Sequence, residues 1–437
     1  MLDRPDPTRP GLTEKTSEPY TPMDPSLPAQ PSWRQVGRHA VFPTASHDEV
    51  ARFDTLTRLN LHLSQVLAPG VKKAYQTRVE PALAAALGRP PQDRHEVRRA
   101  MASDLHYQFW SALRRNTMEQ RQQAGRSVVF RQLGTLRDSA DALNADAPTL
   151  QLDPSVQQPR YQRAVDIHCM PGSYHTEVVA RDIAPGANYD AGLFVTTAGM
   201  LGRYADGGGQ AIVDWLQKHR PGWQPRRILD IGCTIGHNVL PLAQAFPQAE
   251  VVAIDTAAPV LRYGHARAKS LQVHNIQFRQ ASGEAVPAAD ESFDLVTTAM
   301  FWHETSNTAM PRIMAEVHRV LAPGGLTLHL EQPQYRGMDP FEAFMRDWDA
   351  YNNNEPFWTR MHEWDLDELV TRSGFGAGSY FETTMQAKVD RALFPAPLGA
   401  GDSTQEDYGR TPTWTAFGAS KPARPAVLDA AVKAVPA

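Results

Sequence analysis

The sequence has few cysteines and no long apolar run, and neither sign of charge dominates it. Its 437 residues include only two cysteines, Cys169 and Cys233, so no disulfide framework or thiolate zinc cluster can form within one chain. The net charge of −4 argues against a general binder of polyanions such as nucleic acid. The sequence has no run of about 18 apolar residues, which a membrane-spanning helix would need. The N-terminus has no apolar signal core. We therefore expect a cytoplasmic protein without a membrane span.

Composition and periodicity predict five regions along the chain. A proline-rich start predicts a disordered tail, because such a segment buries too little surface to offset its loss of entropy. Helical spacing of apolar residues then predicts an accessory module that is helical to about residue 135 and loop-like after it. The predicted regions are a tail (1–45), a helical cap or accessory module (46–160), a connecting and lid segment (161–222), an α/β domain (223–420) and a flexible tail (421–437).

The α/β domain is predicted from short apolar strands that alternate with helices. Alternation with short loops indicates right-handed βαβ units and a doubly wound, mostly parallel sheet. Two later segments complete a seven-stranded sheet. The predicted strands are 226–231, 250–255, 275–280, 293–299, 326–332, SYFETTMQ and TPTWTAFGASKP.

A glycine turn follows the first of these strands in ILDIGCTIGHN, residues 228–238. Gly232 permits positive φ and close approach of the backbone to a ligand, and Gly236 permits close packing at the start of the next helix. The unpaired N–H groups of a helix start suit an anion. A tight turn without a ligand is the alternative interpretation of this motif.

An acidic residue ends the second strand, EVVAID, and Thr256 follows it. The Asp255 carboxylate can accept hydrogen bonds from both ribose hydroxyls of an adenosine group. It can equally cap the helix that starts near Ala257, and the two roles are compatible.

Together these blocks resemble the class I S-adenosylmethionine (SAM)-dependent methyltransferase family, in the subgroup that modifies small molecules. Four blocks agree with that family in order and spacing: ILDIGCTIG, VVAID, QASGEAVPAADESFDLVTTA and MAEVHRVLAPGGLTLHLE. The resemblance implies a Rossmann-like methyltransferase fold with SAM as cofactor. It also implies a small-molecule acceptor and no nucleic-acid acceptor, since Ala299-Met300-Phe301-Trp302 follows the fourth strand in place of an Asn-Pro-Pro-Tyr-like element.

The resemblance also implies which residues contact the cofactor. The first loop often has glycine where Thr234 stands, and the adenine loop often reads Asp-Ala-Glu where this chain has Ser282-Gly283-Glu284. A tyrosine on a helix before the first strand often touches SAM, and we choose Tyr189, with Tyr174 and His175 behind it. The predicted cofactor residues are Asp230, Gly232, Cys233, Thr234, Gly236, Asp255, Thr256, Ser282, Gly283, Met300 and Tyr189.

Candidate catalytic residues follow the fourth and fifth strands, where open α/β sheets bind their ligands. His303 is a candidate general base, with Phe301 and Trp302 as pocket walls; the alternative is that His303 and Glu304 brace the next helix. Glu331 and Tyr335 could orient a polar acceptor, although Glu331 could instead satisfy backbone groups. The segment 351–358, YNNNEPFW, is either an acceptor lid or a surface loop.

Three functions stay open at this point. The first is methyl transfer to O, N, S or C of a small molecule; the others are a nicotinamide-dependent oxidoreductase and a SAM-binding protein without catalysis. The run from Gly232 to His237 lacks two glycines of the dinucleotide-binding pattern G-x-G-x-x-G. No histidine pair has metal-ligand spacing, so we expect no metal site. The helical module could cover the site, share in acceptor binding or form a homodimer.

Overall fold

An eight-stranded sheet forms the centre of the molecule, in a computed structural model that describes residues 31–388, 393–394 and 413–424. The strand order is β1-β4-β3-β2-β5-β6-β8-β7, with parallel pairing from β1 to β6 and antiparallel pairing of β8 with both β6 and β7. The strands are β1 Leu150–Gln151, β2 Arg227–Ile231, β3 Glu250–Asp255, β4 Ile276–Gln280, β5 Phe293–Ala299, β6 Leu321–Glu331, β7 Tyr380–Gln386 and β8 Thr413–Ser420.

All seven predicted strands are present, and the mostly parallel doubly wound sheet is confirmed. The eighth strand, β1, was missed. It has two residues and pairs with β4 through Leu150 and Phe278. Two residues show no periodicity, so only the packing of the chain against the sheet edge reveals this strand.

The helices lie on both faces of the sheet and in a large N-terminal group. Two π-helical turns, Leu63–Leu67 and Tyr75–Val79, join α1, α2 and α3. The helices are α1 His47–His62, α2 Ala68–Ala74, α3 Glu80–Leu87, α4 Arg94–Met101, α5 Leu105–Arg131, α6 Leu133–Asn144, α7 Arg160–Arg163, α8 Ala184–Thr197, α9 Gly207–His219, α10 Leu240–Ala245, α11 Ala258–Ser270, α12 Ala309–Val320, α13 Pro340–Arg346, α14 Trp348–Asn352, α15 Trp358–Glu363 and α16 Leu366–Arg372.

Alternate strand residues supply two hydrophobic cores, one on each face of the sheet. Ile228 of β2 belongs to the core beneath α9, α10 and α11, whereas its neighbour Leu229 belongs to the core beneath α12 and α16. The same alternation holds for Val251 and Val252 of β3. Burial on both faces explains why these strands read as continuous apolar runs.

The N-terminal helices pack on the α/β part through α5, whose main partner is α8. Loop structure was expected for residues 136–160, but α6 continues to Asn144 because its Leu136 and Ala140 are buried against α8 and α11. Among the described residues, no helix is both long enough and apolar enough to cross a membrane.

Packing begins before the predicted end of the N-terminal tail at residue 45. Trp33 is buried, stacks on Phe53 with ring centroids 4.9 Å apart, and donates from Nε1 to the Ala191 carbonyl at 3.0 Å. Phe42 packs against the same indole. Three aromatic rings therefore fix residues 31–45 to α1 and α8, which composition alone did not indicate. The rest of the predicted tails, 1–30 and 425–437, lies outside the described residues.

Removing the Trp33 side chain tests this packing. We expect Trp33→Ala to lower the free energy of unfolding by about 3–5 kcal/mol, the usual cost of deleting a large buried aromatic side chain. Urea denaturation measures it, with Phe109→Ala as the control because Phe109 is 61% exposed. Equal stability of the two variants would show that residues 31–45 are not part of the folded core.

Candidate functional site

One large cavity lies at the carboxyl ends of β2, β3, β4 and β5. It contains about 1470 Å³ of space between its walls, part of which is open to solvent. The floor comes from the loops that follow these strands, and the roof comes from α5, α8 and the segment 158–175. The cavity is therefore at the sheet edge where ligands bind in open α/β folds.

The glycine loop after β2 forms one wall of the cavity. Gly232 has a φ of 76°, and a Cβ added there would lie 2.3 Å from Cδ2 of Phe301. Thr234 adopts a φ of 49° although it is not glycine. Its N–H donates to Oδ2 of Asp255 at 3.0 Å, and this bond holds the loop where the family often has glycine.

Asp255, at the end of β3, lies between the glycine loop and helix α11. Besides the bond from Thr234, its Oδ1 accepts from the N–H of Ala257, the residue that precedes α11, at 2.9 Å. The hydrogen bonds from Thr234 and Ala257 favour the ionised carboxylate, but burial outweighs them and raises the pKa of Asp255 to about 6. The negative charge of Glu304 adds to the increase. The side chain also lines the cavity, which leaves both predicted roles available to it.

Three of the predicted cofactor residues do not line the cavity. The Asp230 carboxylate accepts from Oγ1 of Thr297 at 2.7 Å inside the sheet, and burial raises its pKa to about 7. Cys233 belongs to the hydrophobic core, and burial raises the pKa of its thiol well above the usual value. Gly236 faces Phe278, whose Cζ lies 2.9 Å from an added Cβ. These three residues lie on the side of the loop that faces the sheet and the core, and α10 begins only at Leu240.

The remaining predicted cofactor residues all line the cavity: Tyr189, Gly232, Thr234, Asp255, Thr256, Ser282, Gly283 and Met300. Tyr174 and His175 line it too, and the Tyr174 and Tyr189 rings contact each other edge to face, with centroids 5.6 Å apart. Phe301 is a wall as expected, whereas Trp302 is not, because its indole is fully buried in the core beneath α12.

Five titratable residues form a buried histidine–glutamate cluster beside the cavity: His168, His303, Glu304, Glu331 and Glu355. Nε2 of His168 lies 2.9 Å from Oε1 of Glu304, and its Nδ1 lies 2.8 Å from Oε1 of Glu355. Nδ1 of His303 lies 2.7 Å from Oε1 of Glu331, and its Nε2 lies 3.6 Å from Oε2 of Glu355. Three carboxylates thus surround two imidazoles.

Both histidines of the cluster bind protons more tightly than usual. Burial alone would lower the pKa of His303, but Glu331 and then Glu355 raise it to about 9. In the same way Glu355 and Glu304 overcome the effect of burial on His168 and raise its pKa to about 10. The neighbouring carboxylates therefore favour the protonated form of both rings, which makes each ring a poorer proton acceptor.

Glu331 supports the loop that carries Phe301 and His303. Its Oε2 accepts from the N–H groups of Phe301 and Trp302 at 3.2 and 2.9 Å, and the side chain does not line the cavity. Of the two roles left open for Glu331, satisfying backbone groups is the one observed.

The structure places Tyr335, a predicted catalytic residue, away from the cavity. Its O–H donates to Oδ1 of Asp347 at 3.2 Å, its ring stacks on His362, and it does not line the cavity. After β6 the chain turns away from the cavity, because the Tyr335 N–H bonds to the His362 carbonyl at 2.9 Å.

His168 and Glu355 were not selected from the sequence as site residues. His168 occurs in no histidine motif, and Glu355 lies in YNNNEPFW, which was predicted as either a lid or a surface loop. The structure buries Glu355 and brings Asn353 of the same segment to the cavity. Within the described ranges, no group of three or more His, Cys, Asp or Glu side chains could hold a metal ion.

A methyl group at Gly232 tests the geometry of the loop. We expect Gly232→Ala to lower the free energy of unfolding by about 1–3 kcal/mol, because the new Cβ overlaps Phe301 and the positive φ is strained. Chemical denaturation measures it. Gly134→Ala is the control, since nothing lies within 4 Å of a Cβ there and helix α6 should gain stability. A Gly232→Ala protein as stable as the wild type contradicts the close approach of Phe301 to this loop.

Comparison with known proteins gives the same assignment as the geometry. Residues 228–325 match the family model of a methyltransferase domain. The demethylmenaquinone methyltransferase of Thermus thermophilus is 36% identical over 174 residues, which cover 40% of this chain and 69% of that protein. That of Symbiobacterium thermophilum is 33% identical over 162 residues, which cover 36% of this chain and 58% of that protein.

A solved structure of phosphoethanolamine N-methyltransferase 2 from Haemonchus contortus with S-adenosyl-L-methionine is 18% identical. It covers 56% of this chain and 60% of that one, with a TM-score of 0.39. Neither the fold nor the family is assigned from that solved structure. The fold is assigned from the strand order and the glycine loop, and the family from the Thermus thermophilus relative. This chain belongs to the class I SAM-dependent methyltransferase family.

Proposed function

We propose that this methyltransferase binds SAM in the cavity, against the glycine loop and Asp255. It methylates a small organic acceptor that lies beneath the helical roof. The observation that carries the proposal is the cavity-lining carboxylate of Glu304, which is held by two donors. When bound, SAM supplies an activated methyl group on a sulfonium centre, which is transferred by in-line displacement. The residues of this chain must bind, align and deprotonate the acceptor.

The cavity residues fit the parts of SAM by their chemistry. The Asp255 carboxylate suits the two ribose hydroxyls, because charge-assisted hydrogen bonds are the stronger kind. Gly232 lets the Phe301 ring pack directly against the backbone of the loop, because an added Cβ would lie 2.3 Å from Cδ2 of Phe301. Ser282 and Gly283, after β4, line the part of the cavity where the family resemblance puts adenine.

The acceptor region lies between the loop after β5 and the helical roof. Its lining includes Met118, Tyr174, Tyr189, Met300 and Phe301. Such apolar and aromatic walls exclude water and suit a flat organic molecule. The curated relatives carry the name demethylmenaquinone methyltransferase, and we infer an acceptor of similar character, with an ionisable hydroxyl group.

Glu304 is the proton acceptor that we assign to the reaction. Its Oε1 accepts from Nε2 of His168 at 2.9 Å and from the O–H of Tyr174 at 3.0 Å. These donors fix the carboxylate at the cavity wall. His303, which we predicted as the base, has its Nδ1 2.7 Å from Oε1 of Glu331, and Glu331 and Glu355 favour its protonated form, so we assign it a positioning role together with Glu331.

The family assignment argues against the nicotinamide alternative. The release of S-adenosylhomocysteine distinguishes an active methyltransferase from a protein that binds SAM without catalysis. We keep as proposals the division into regions, the absence of a nucleic-acid partner, a homodimer through the helical module and a cytoplasmic location. Both cysteines are free and buried, which is compatible with a reducing compartment.

The ribose contact predicts a pH-dependent affinity for SAM. The ionised Asp255 carboxylate is the better acceptor, so affinity should fall as the pH drops through about 6, where the carboxyl gains its proton. Asp255→Asn should weaken SAM binding at pH 7.5 by about 1–3 kcal/mol and remove this pH dependence. Titration calorimetry from pH 5 to 8 measures both effects.

Asp290→Asn is the matched control, because the Asp290 side chain is 75% exposed and lies outside the cavity. It should retain both the affinity and the pH dependence of the wild type. If Asp255→Asn does the same, Asp255 does not hold the ribose.

Loss of the proposed base should slow the reaction more than it weakens binding. We expect Glu304→Gln to lower kcat by about 100-fold or more, since proton transfer by a side chain contributes on the order of 10²–10⁴. The affinity for S-adenosylhomocysteine should change little. The assay follows S-adenosylhomocysteine release from labelled SAM with a small-molecule cell extract as the acceptor source.

Glu119→Gln, on the outer surface of α5, is the control for this charge removal and should leave kcat unchanged. Wild-type turnover in Glu304→Gln would remove Glu304 from the proton-accepting role. An absence of methyl transfer by the wild type, combined with normal SAM binding, would favour the non-catalytic alternative.

A further inference from the structure

Three arginine side chains are buried in the described part of the chain, and they differ in their partners. Arg94 pairs with Asp347 and Glu363, and Arg267 lies 3.6 Å from Asp190. Arg121 is 8% exposed, yet among the described residues no carboxylate lies within ion-pair distance of it. Within the part of the chain that the structure describes, one of the three buried cations therefore lacks the counter-charge that the other two have.

Arg121 projects from helix α5 into the cavity roof. Its Nη1 donates to the hydroxyl of Thr196 on α8, and its Nε has no hydrogen-bond partner. The aliphatic part of the side chain packs beside Gly192 of α8, where an added Cβ would lie at an ordinary contact distance of 3.6 Å from Cδ of Arg121. The two helices thus hold the guanidinium at the cavity instead of letting it reach solvent.

A buried charge without a counter-charge destabilises a protein unless something else compensates it. Burial lowers the pKa of Arg121, against smaller opposing contributions from Tyr189, Cys169, Tyr174 and Glu355. Of these groups only Glu355 is a carboxylate, and its Oε1 lies 2.8 Å from Nδ1 of His168. A guanidinium presents a fork of donors that matches a carboxylate or a similar anion. A ligand anion would supply the missing partner.

We propose that Arg121 binds an anionic oxygen group of the methyl acceptor, so that the acceptor is a small organic acid. This inference rests on the proposed function, because it concerns the acceptor half of the same cavity. The acceptor would lie between the Arg121 guanidinium and the Glu304 carboxylate, with its acidic group on the former and its reactive hydroxyl near the latter.

The surroundings of Arg121 favour the acceptor over SAM as the source of the anion. The groups that act on its charge are on α8 and on the segments that carry His168 and Asn353. None of them belongs to the glycine loop, 232–238, where the family resemblance puts the methionine part of SAM. The carboxylate of SAM is nevertheless the competing source, and the experiment separates the two.

The test compares organic acids with their primary amides on protein saturated with S-adenosylhomocysteine. The probes are benzoate, 4-hydroxybenzoate, 1-hydroxy-2-naphthoate and hexanoate, each titrated beside its amide by calorimetry. We expect at least one acid to bind wild-type protein tenfold or more tightly than its amide. Arg121→Gln should abolish this preference, and Arg121→Lys should retain part of it. If no acid is preferred, or if the preference survives in Arg121→Gln, the proposal is overturned.

A second experiment tests whether Arg121 binds the cofactor. Wild-type and Arg121→Gln proteins are titrated with S-adenosylhomocysteine and with 5′-methylthioadenosine, which lacks the amino-acid tail. Wild-type affinity for both in Arg121→Gln supports the proposal. A loss of S-adenosylhomocysteine affinity alone would assign Arg121 to the SAM carboxylate and overturn it. If wild-type protein binds neither nucleoside, the proposed function itself fails, a result distinct from a failure at Arg121.

Arg126→Gln is the matched control, since Arg126 lies on the same helix, does not line this cavity and donates to the Pro171 carbonyl at 2.8 Å. It should keep the preference for acids. Thermal melting without ligands provides the second readout. Because Arg121→Gln removes an unpaired buried charge, its Tm should equal or exceed that of the wild type. A large fall in Tm would indicate a structural partner for Arg121 and contradict the proposal.

Discussion

The N–H groups of Thr234 and Ala257 both donate to the carboxylate of Asp255. These two hydrogen bonds fix the geometry of the part of the cavity where we propose that SAM binds. One bond holds the glycine loop after β2, and the other holds the start of α11. Asp255 is placed by the register of β3 between β2 and β4. The sheet therefore positions the carboxylate, and the carboxylate positions the loop against which a ligand would lie.

A second set of carboxylates organises the opposite half of the cavity. Glu331 holds the loop after β5 by two backbone bonds, and it also holds the ring of His303. Glu355 connects His303 to His168, and His168 in turn binds Glu304. Each carboxylate of this set is thus paired with a histidine, and Arg121 is the one cavity-lining arginine among the described residues.

Local patterns predicted the sheet but only part of the site. Strands 250–255 and 293–299 were predicted to the residue, because buried parallel strands form short apolar runs between polar turns. His168 and Glu355 were missed because they lie 187 positions apart and only the tertiary fold pairs them. The placement of Tyr335 outside the cavity could not be predicted for a related reason: its short separation from β6 in sequence does not reveal that the chain turns away from the cavity.

The most direct test of the account is a crystal structure of the protein with S-adenosylhomocysteine bound. The account predicts both ribose hydroxyls within hydrogen-bond distance of the Asp255 carboxylate, and the amino-acid tail against the loop from Gly232 to Thr234. The sulfur should face the part of the cavity lined by Met300 and Glu304. A nucleoside found elsewhere, with Asp255 still engaged only by Thr234 and Ala257, would contradict it.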